Sequence, residues 1–211
     1  MSTHLRALNL PDGLLAFVGN LRSMDAPTWA GISTLRQNVF IVEQGCNYAD
    51  QDLNDLEDTT EHLWVEDGAG VVFATLRIMN EQPKGTGLGL PLLGNAQTGD
   101  AQAGNAQTKD AQSINIFNPG GNAGANGTGS APQTNQQTKR IGRVAVHSKR
   151  RGQGIGHTLM KTAVARCGKR RIVLNAQSHL ADWYTQFGFE VDGEEFLEVG
   201  IPHVPMVREA L

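Results

Sequence analysis

The chain has 211 residues, with 18 lysines and arginines against 21 aspartates and glutamates, and a formal net charge of −3. This length is enough for one sizeable domain with its own core, and the acidic balance argues against a bulk positive field for nucleic acid or anionic membranes. Cys46 and Cys167 have no metal-ligand spacing, and the sequence has no apolar run of membrane-spanning length. We therefore expect a cytoplasmic protein with no metal, no nucleic-acid partner and no membrane partner.

The first third of the chain predicts a strand, a helix and a hairpin. Residues 14–21 are typical of a strand, and Asp25 can cap a helix that continues to about Glu43. Its apolar residues recur at helical spacing: Trp29, Ile32, Leu35, Val39 and Val42. The sequence DGAG at 67–70 separates two apolar stretches, EHLWVE and GVVFATLRI, and therefore predicts a hairpin.

The segment from about 82 to 137 differs in composition from both flanks. It is rich in Gly, Asn, Gln, Ala and Thr, and the decapeptide GNAQTGDAQA at 94–103 is followed directly by GNAQTKDAQS at 104–113. Such a polar repeat has too little apolar area to offset the entropy of ordering it. We therefore predict a single domain, 1–211, interrupted by a flexible low-complexity insertion between its third and fourth strands.

The remaining sequence predicts alternating strands and helices. RIGRVAVH is a strand, Gly154–Cys167 is a helix with one apolar face, and residues 171–177 form the next strand. Ser178 can cap a short helix whose apolar face holds Leu180, Trp183, Tyr184 and Phe187, and further strands follow near FEVDGEEFLE and HVPMVRE. Hairpins followed by a β-α-β-α-β run predict an α/β (α+β) fold, with a mixed, mostly antiparallel sheet flanked by helices.

The turn before the predicted helix at 154–167 has the composition of a phosphate site. Its spacing is Arg-x-x-Gly-x-Gly, carried by Arg151, Gly154 and Gly156, and we call residues 151–157 the phosphate turn. Glycines let main-chain N–H groups approach an anion, and a helix N-terminus adds partial positive charge. The GKS or GKT of a P-loop is absent, and His157 stands where a dinucleotide fingerprint has its third glycine.

The phosphate turn and its flanks together resemble the acetyl-CoA-binding core of the GNAT N-acetyltransferases. RRGQGIG is similar to that family's Arg/Gln-x-x-Gly-x-Gly/Ala turn, and WYTQFGF resembles its Tyr-x-x-x-Gly-Phe signature. LRQNVFIVEQGCNYADQDLNDLEDTTEHL, LNAQSHL and GIPHVPMVRE more specifically resemble the ElaA-like branch of the family. The resemblance covers most of 30–81 and 139–211, and it leaves out the first dozen residues and the insertion.

The resemblance implies a GNAT fold and an acyl-CoA-dependent enzyme that transfers an acetyl group from acetyl-CoA to a primary amine by direct attack. In the family, main-chain groups of the phosphate turn and of the preceding strand bind the pyrophosphate and pantetheine. The corresponding residues here are Val144, Ala145, Val146, Arg151, Gly152, Gln153, Gly154, Ile155, Gly156 and His157. Gln177 and Asn175 could hydrogen-bond pantetheine or substrate, or could pair with the loop backbone.

The match to the family assigns Tyr184 as the general acid for the leaving thiolate, although a tyrosine in this apolar stripe can also be a core residue. An amine nucleophile must lose a proton before it attacks. Many family members use a glutamate on the strand before the phosphate turn, but IGRVAVH contains no acid. The remaining candidate bases are Glu43, His62, Glu66 and His203, of which Glu43 and His203 rank first.

The acidic run DQDLNDLEDTTEH, residues 50–62, has two interpretations. It is either a solvated, turn-rich loop or a negative rim that favours a cationic amine. The acceptor can be a small molecule or a protein amine, and a homodimer is in keeping with the family. The alternative function is a non-catalytic acyl-CoA-binding regulator on the same fold.

Overall fold

The computed structural model describes residues 2–5, 10–11, 13–81 and 137–211. Nine strands occur in these ranges: β1 (Thr3–Leu5), β2 (Leu14–Gly19), β3 (Glu61–Asp67), β4 (Val72–Asn80), β5 (Lys139–Val146), β6 (Ile172–Gln177), β7 (Glu190–Val191), β8 (Phe196–Glu198) and β9 (Ile201–Arg208). The α-helices of the same ranges are α1 (Ala26–Arg36), α2 (Ile155–Cys167) and α3 (Ala181–Thr185), and a π-helical segment (Gln37–Glu43) continues α1. Short 3₁₀ turns occur at Leu21–Ser23, Leu53–Leu56, Ser148–Arg150 and Ser178–Leu180. None of these described helices is long and apolar enough to cross a membrane.

The described strands form one sheet in the order β1-β2-β3-β4-β5-β6-β9-β7, and β8 also pairs with β9. Neighbours pair antiparallel except for β5 and β6, which are parallel. That parallel pairing joins only Lys139 to Ile172 and Arg140 to Val173. The two strands therefore separate beyond Arg140 and leave an opening in the middle of the sheet.

Helices cover both faces of the sheet. One core contains the apolar face of α2, including Ile155, Leu159 and Met160, packed on residues from β2 to β6. A smaller core on the opposite face joins α1 to Trp64, Val72 and Ala145. The predicted mixed α/β fold, mostly antiparallel and flanked by helices, is confirmed.

The helix predicted from Asp25 begins as expected and ends differently. Asp25 Oδ1 accepts a hydrogen bond from the Thr28 amide at 2.8 Å. Ile32, Leu35 and Val39 are buried, but Val42 is 73% exposed. The physical reason is the π-helical segment, since its wider turn rotates Val42 away from the apolar face that ordinary helical spacing predicts.

Three further details of the sequence prediction need correction. Ser178 does not cap α3, because it begins a separate 3₁₀ turn, Ser178–Leu180, and Leu180 occupies the N-cap position without a side-chain hydrogen bond. That turn also leaves Leu180 37% exposed, although Tyr184 and Phe187 of the same predicted face are buried. The short β1 was not predicted, so the segment predicted as an insertion separates β4 from β5. Residues 82–136 lie outside the described residues, and their predicted flexibility stays a prediction.

Candidate active site

The opening between β5 and β6 forms a cleft of about 670 Å³, bounded by the N-terminus of α2 and by α3. We call it the cleft throughout. Most of the sequence-predicted site residues line it together: Glu43, Val144, Ala145, Val146, Arg151, Gly152, Gly154, Ile155, Gly156, His157, Gln177 and Tyr184. Gln153 and His203 do not line it. Gln153 instead donates a hydrogen bond to the Lys149 carbonyl at 3.3 Å.

Two glycines of the phosphate turn have a backbone conformation that favours glycine. Gly152 and Gly154 have φ of 74° and 78°, a conformation that residues with a β-carbon adopt only with strain. Gly154 is the N-cap of α2, so the free N–H groups of the first helical turn line the cleft. A β-carbon on Gly156 would lie 3.2 Å from Val146 Cγ2, so the glycine allows α2 to approach β5 closely.

Two side-chain bridges connect the end of the π-helical segment to the walls of the cleft. Glu43 Oε2 pairs with Arg151 Nη2 at 2.5 Å, and Arg151 Nε also donates to the Val146 carbonyl at 3.0 Å. Beside it, Gln177 Nε2 donates to Gln44 Oε1 at 3.0 Å. The helix end thus contacts both the phosphate turn and the end of β6.

A bulge in β5 lies where the strand begins to line the cleft. Thr75 pairs with Ala145, but Arg77 pairs with Gly142, so one residue of β4 lies opposite two of β5. The unmatched stretch contains Arg143, whose φ is 53°. Because β6 pairs with β5 only at its start, Val144, Ala145 and Val146 have no strand partner on that side within the described sheet.

Tyr184 lies on α3 and reaches the cleft from a mostly apolar position. It is 7% exposed, and its ring contacts Trp183 and Phe189 edge-on. Burial raises the pKa of Tyr184 to about 12. Within the described residues no group hydrogen-bonds its hydroxyl, which is therefore available to a ligand.

Of the four candidate bases, the structure places only Glu43 in the lining of the cleft. His62 is 1% exposed beneath Trp29, its Nε2 lies 3.3 Å from the Asp55 carbonyl, and burial lowers its pKa. Glu66 accepts a hydrogen bond from Trp64 Nε1 at 2.8 Å. His203 is the register partner of Gln177, and its Nδ1 lies 2.8 Å from the Ile201 carbonyl.

Comparison with known proteins identifies the family. The family described as acetyltransferase (GNAT) domain matches residues 122–210. A UPF0039 protein of Mycobacterium tuberculosis is 31% identical over 187 residues, which are 89% of this chain and 88% of that protein. Protein ElaA of Escherichia coli is 39% identical over 75 residues, 34% of this chain and 49% of that protein. The chain belongs to the ElaA-like family of GNAT proteins.

Solved structures agree with this assignment. An acyl-CoA N-acyltransferase from Pseudomonas aeruginosa has a TM-score of 0.63 and 26% identity, over 92% of this chain and 99% of that one. The crystal structure of Escherichia coli ElaA has the same TM-score at 22% identity, over 93% and 99%. This ElaA-like protein therefore has the fold of the acyl-CoA N-acyltransferases, a family that uses acyl-CoA as co-substrate and amines as acceptors.

Two aspartates in the acidic run of this ElaA-like protein fit neither sequence interpretation. Asp55 is 1% exposed and binds Arg36 and Arg77, and Asp50 is 4% exposed and binds Arg36 at 2.7 Å. These aspartates are neither solvated nor free to form a negative rim, because buried arginines neutralise them. Burial alone would raise the pKa of Asp55, but Arg36 and Arg77 overcome it and lower the pKa to about 2.

The rest of the acidic run is also paired in part: Asp58 with Arg22 and Glu61 with Arg166. No local sequence pattern indicates these pairs, since the partners lie 36 and 105 residues away. Sequence reasoning did not assign several other residues that line the cleft to the site, namely Val39, Gln44, His179, Leu180 and Trp183. Gln44 and Trp183 directly neighbour predicted site residues, but only the fold shows that they line the same cleft.

Proposed function

We propose that this protein is an N-acetyltransferase that moves the acetyl group of acetyl-CoA to a primary amine by direct attack on the thioester. One observation carries the proposal. The phosphate turn, the main chain of Val144–Val146 on the side that β6 leaves unpaired, and Tyr184 all border the same cleft. An anion site, a set of main-chain donors and a proton donor are the parts that acyl transfer from a phosphorylated thioester needs.

The phosphate turn would hold the pyrophosphate of the co-substrate. The N–H groups at the start of α2 and the positive end of the helix dipole favour a bound anion. Arg150 and Arg151 also line the cleft and add full positive charges. Gln153 does not line the cleft, and its side chain contacts the Lys149 carbonyl. Only its main chain, as part of the turn, contributes to the proposed anion site.

The main chain of β5 would bind the pantetheine and polarise the thioester carbonyl. A donor that is already aimed at the developing oxyanion needs no reorganisation during the reaction, and removing such a donor typically costs about 3–4 kcal/mol. Gln177, at the end of β6, supplies a side-chain amide on the opposite wall. The cleft therefore offers hydrogen-bonding groups on both sides of a bound thioester.

Tyr184 acts as the general acid in this proposal. The thiolate leaves as the tetrahedral intermediate collapses, and protonation of its sulfur by the phenol completes the release of coenzyme A. With a pKa raised to about 12 by burial, Tyr184 is protonated throughout the neutral range. The apolar surroundings thus keep the proton on the donor until sulfur charge develops.

Glu43 is the proposed base, because its carboxylate lines the cleft. It would take the proton of the attacking amine, directly or through water, once Arg151 no longer occupies it. His203 is the second choice, since it neighbours Gln177 on the sheet but lies outside the lining of the cleft. We further propose that the acceptor is a small-molecule or protein amine and that the protein is cytoplasmic. We also propose that it forms a homodimer and that residues 1–211 make up a single domain.

Thiol release tests the proposal. The protein is mixed with acetyl-CoA and a panel of primary amines, free coenzyme A is measured, and binding of coenzyme A is followed by calorimetry. We expect binding in the micromolar range and amine-dependent release of coenzyme A. Absence of binding at millimolar coenzyme A would overturn the assignment, and tight binding without turnover for any amine would support the acyl-CoA-binding regulator instead. Longer acyl-CoA substrates in the same assay test the preference for acetyl.

A further inference from the structure

We propose that Arg143 is a positioning residue for acyl transfer: its side chain holds the β5 bulge in a strained backbone conformation and so fixes the direction of the main chain at Val144–Val146. The inference rests on the proposed function of the cleft. Arg143 does not line the cleft itself, so it acts through the strand and not by contact with substrate.

The strain is concentrated at one residue. Arg143 has a φ of 53°, in the left-handed region where glycine is normally found at a bulge. Gly142 directly precedes it and does not have positive φ, so the chain places the unfavourable conformation on an arginine although a glycine is adjacent. Strained residues persist only where the surrounding structure holds them.

The surroundings of Arg143 supply that restraint. Its Nε lies 3.0 Å from Asp50 Oδ1, and its Nη2 lies 3.3 Å from Asp52 Oδ2 and donates to the Asp50 carbonyl at 3.0 Å. Its guanidinium also lies over the Tyr48 ring, 5.5 Å from the centroid. We call Tyr48, Asp50, Asp52 and Arg143 the β5 clamp.

The β5 clamp is anchored to two other elements by buried charges. Asp50 pairs with Arg36 of α1 at 2.7 Å, and Asp52 pairs with Arg77 of β4 at 2.7 Å. Asp55 binds both of these arginines. Three arginines and three aspartates therefore balance in charge, and the loop that carries the aspartates has little freedom to move relative to α1, β4 or the bulge.

The anchored loop also continues directly from the helix end that borders the cleft. Gln44 contacts Gln177 across the cleft, and six residues later Asp50 contacts Arg143. The β5 clamp thus fixes the orientation of β5, the strand that would polarise the thioester. It also fixes the position of the wall of the cleft that faces β5. Small errors in such alignment are costly in acyl transfer, because the donor must face the oxyanion.

The test compares two glycine substitutions on the same strand. Arg143→Gly accepts the positive φ without strain but removes the β5 clamp, and Arg140→Gly removes an arginine that pairs with Glu81 away from the bulge. We expect Arg143→Gly to lower kcat by about 10-fold to 100-fold. Its dissociation constant for coenzyme A should stay within about threefold of the value for the unmodified protein. The reason is that the pyrophosphate contacts at the phosphate turn, which mainly set this constant, stay intact. Arg140→Gly should leave both quantities within the same limit.

Arg143→Lys keeps the charge but loses the bidentate geometry, and it should recover part of the lost kcat. Equal kcat in Arg143→Gly and Arg140→Gly would overturn the proposal. So would a loss of kcat matched by equal losses of coenzyme A binding and of thermal stability, which is the behaviour of a merely structural residue.

A second measurement separates this inference from the proposed function. Amide hydrogen exchange at Val144–Val146 needs no turnover, and we expect it to rise in Arg143→Gly and not in Arg140→Gly. If the unmodified protein fails to bind coenzyme A or to turn over, the proposed function fails while this exchange result still tests the β5 clamp. Unchanged exchange in Arg143→Gly would overturn the positioning role.

Discussion

The carboxylate of Glu43 and the guanidinium of Arg151 are 2.5 Å apart in the lining of the cleft, although 108 residues separate them in the sequence. The same guanidinium belongs to the phosphate turn, where a bound pyrophosphate would compete for it. One contact therefore joins the proposed base to the proposed anion site. Binding of the co-substrate would draw Arg151 away from Glu43 and free the carboxylate for the amine.

The first prediction concerns this competition. Glu43→Gln should bind coenzyme A about twofold to fivefold more tightly, the range expected for removing a partly exposed ion pair, because Arg151 is released to the pyrophosphate. Its turnover should fall, because an amide cannot accept the amine proton. Calorimetry gives the affinity, and thiol release gives kcat.

Arg151→Gln provides the control for that prediction. When Arg151 is already replaced by Gln, the further change Glu43→Gln should no longer tighten coenzyme A binding. Glu43 then has no guanidinium at position 151 for which it can compete with the pyrophosphate. A gain of equal or greater size in that background would show that simple repulsion between Glu43 and the pyrophosphate causes the effect. Competition for Arg151 would then be ruled out.

The second prediction concerns Tyr184. Tyr184→Phe should lower kcat by about 10²-fold or more, the range for loss of a general acid, with little change in coenzyme A affinity. Stability should change little, because no described group hydrogen-bonds the hydroxyl. Since burial raises the pKa of Tyr184 to about 12, the unmodified enzyme should keep the acid protonated and show no loss of rate from its ionisation below about pH 10. Full activity of Tyr184→Phe would remove the residue from the mechanism.

The third prediction is acid destabilisation through Asp55. Its pKa is about 2 in the folded protein and near 3.8 when unperturbed, so the unfolded chain takes up the proton first as the pH falls. The stability that Asp55 contributes is therefore complete above about pH 5 and is lost progressively between about pH 5 and pH 1, by about 2 kcal/mol. Urea unfolding at a series of pH values measures the loss.

Two aspartate variants check the source of that loss. Asp55→Asn should destabilise the protein by about 3–5 kcal/mol at neutral pH, because it leaves Arg36 and Arg77 buried with less opposing charge. Asp58→Asn removes the exposed pair with Arg22 and should cost less than about 1 kcal/mol. Similar effects of the two substitutions would contradict a special role for the buried network.

The fourth prediction concerns the backbone of the phosphate turn. Gly154→Ala should destabilise the protein by about 1–2 kcal/mol, because φ is 78° there although no atom lies within 4 Å of the added β-carbon. It should also weaken coenzyme A binding by altering the start of α2. Gly68→Ala also places its β-carbon in open space, but without positive φ, and should change neither quantity appreciably.

The fifth prediction concerns the segment between β4 and β5. Asn80 and Lys139 are register partners, and the Glu81 amide donates to the Thr138 carbonyl at 2.8 Å, so a short loop can join the two strands. Deletion of 85–136 should therefore leave a cooperatively folded protein that still binds coenzyme A, since shortening a loop lowers its closure entropy. Circular dichroism and calorimetry measure the outcome, and loss of cooperative unfolding would contradict the prediction.

Local sequence was sufficient for the features that depend on neighbouring residues. The hairpin at 67–70, the cap at Asp25, the apolar face of α2 and the glycines of the phosphate turn follow from short-range sterics, hydrogen bonding and periodicity, and the structure has each of them. The family resemblance extended this to the fold and to the residues of the cleft. It did so because the matching motifs occupy fixed places on strands and helix ends.

Tertiary structure alone decided the pairings between distant charges. Asp50 and Asp55 look like surface acids in the sequence, but folding buries them against Arg36, Arg77 and Arg143, which come from three different elements. The contact of Glu43 with Arg151 and the backbone strain at Arg143 are equally absent from any local pattern. The physical reason is that charge pairing and strain depend on which groups the packed sheet brings within a few ångströms, whereas caps, turns and helix faces depend on residues a few positions apart.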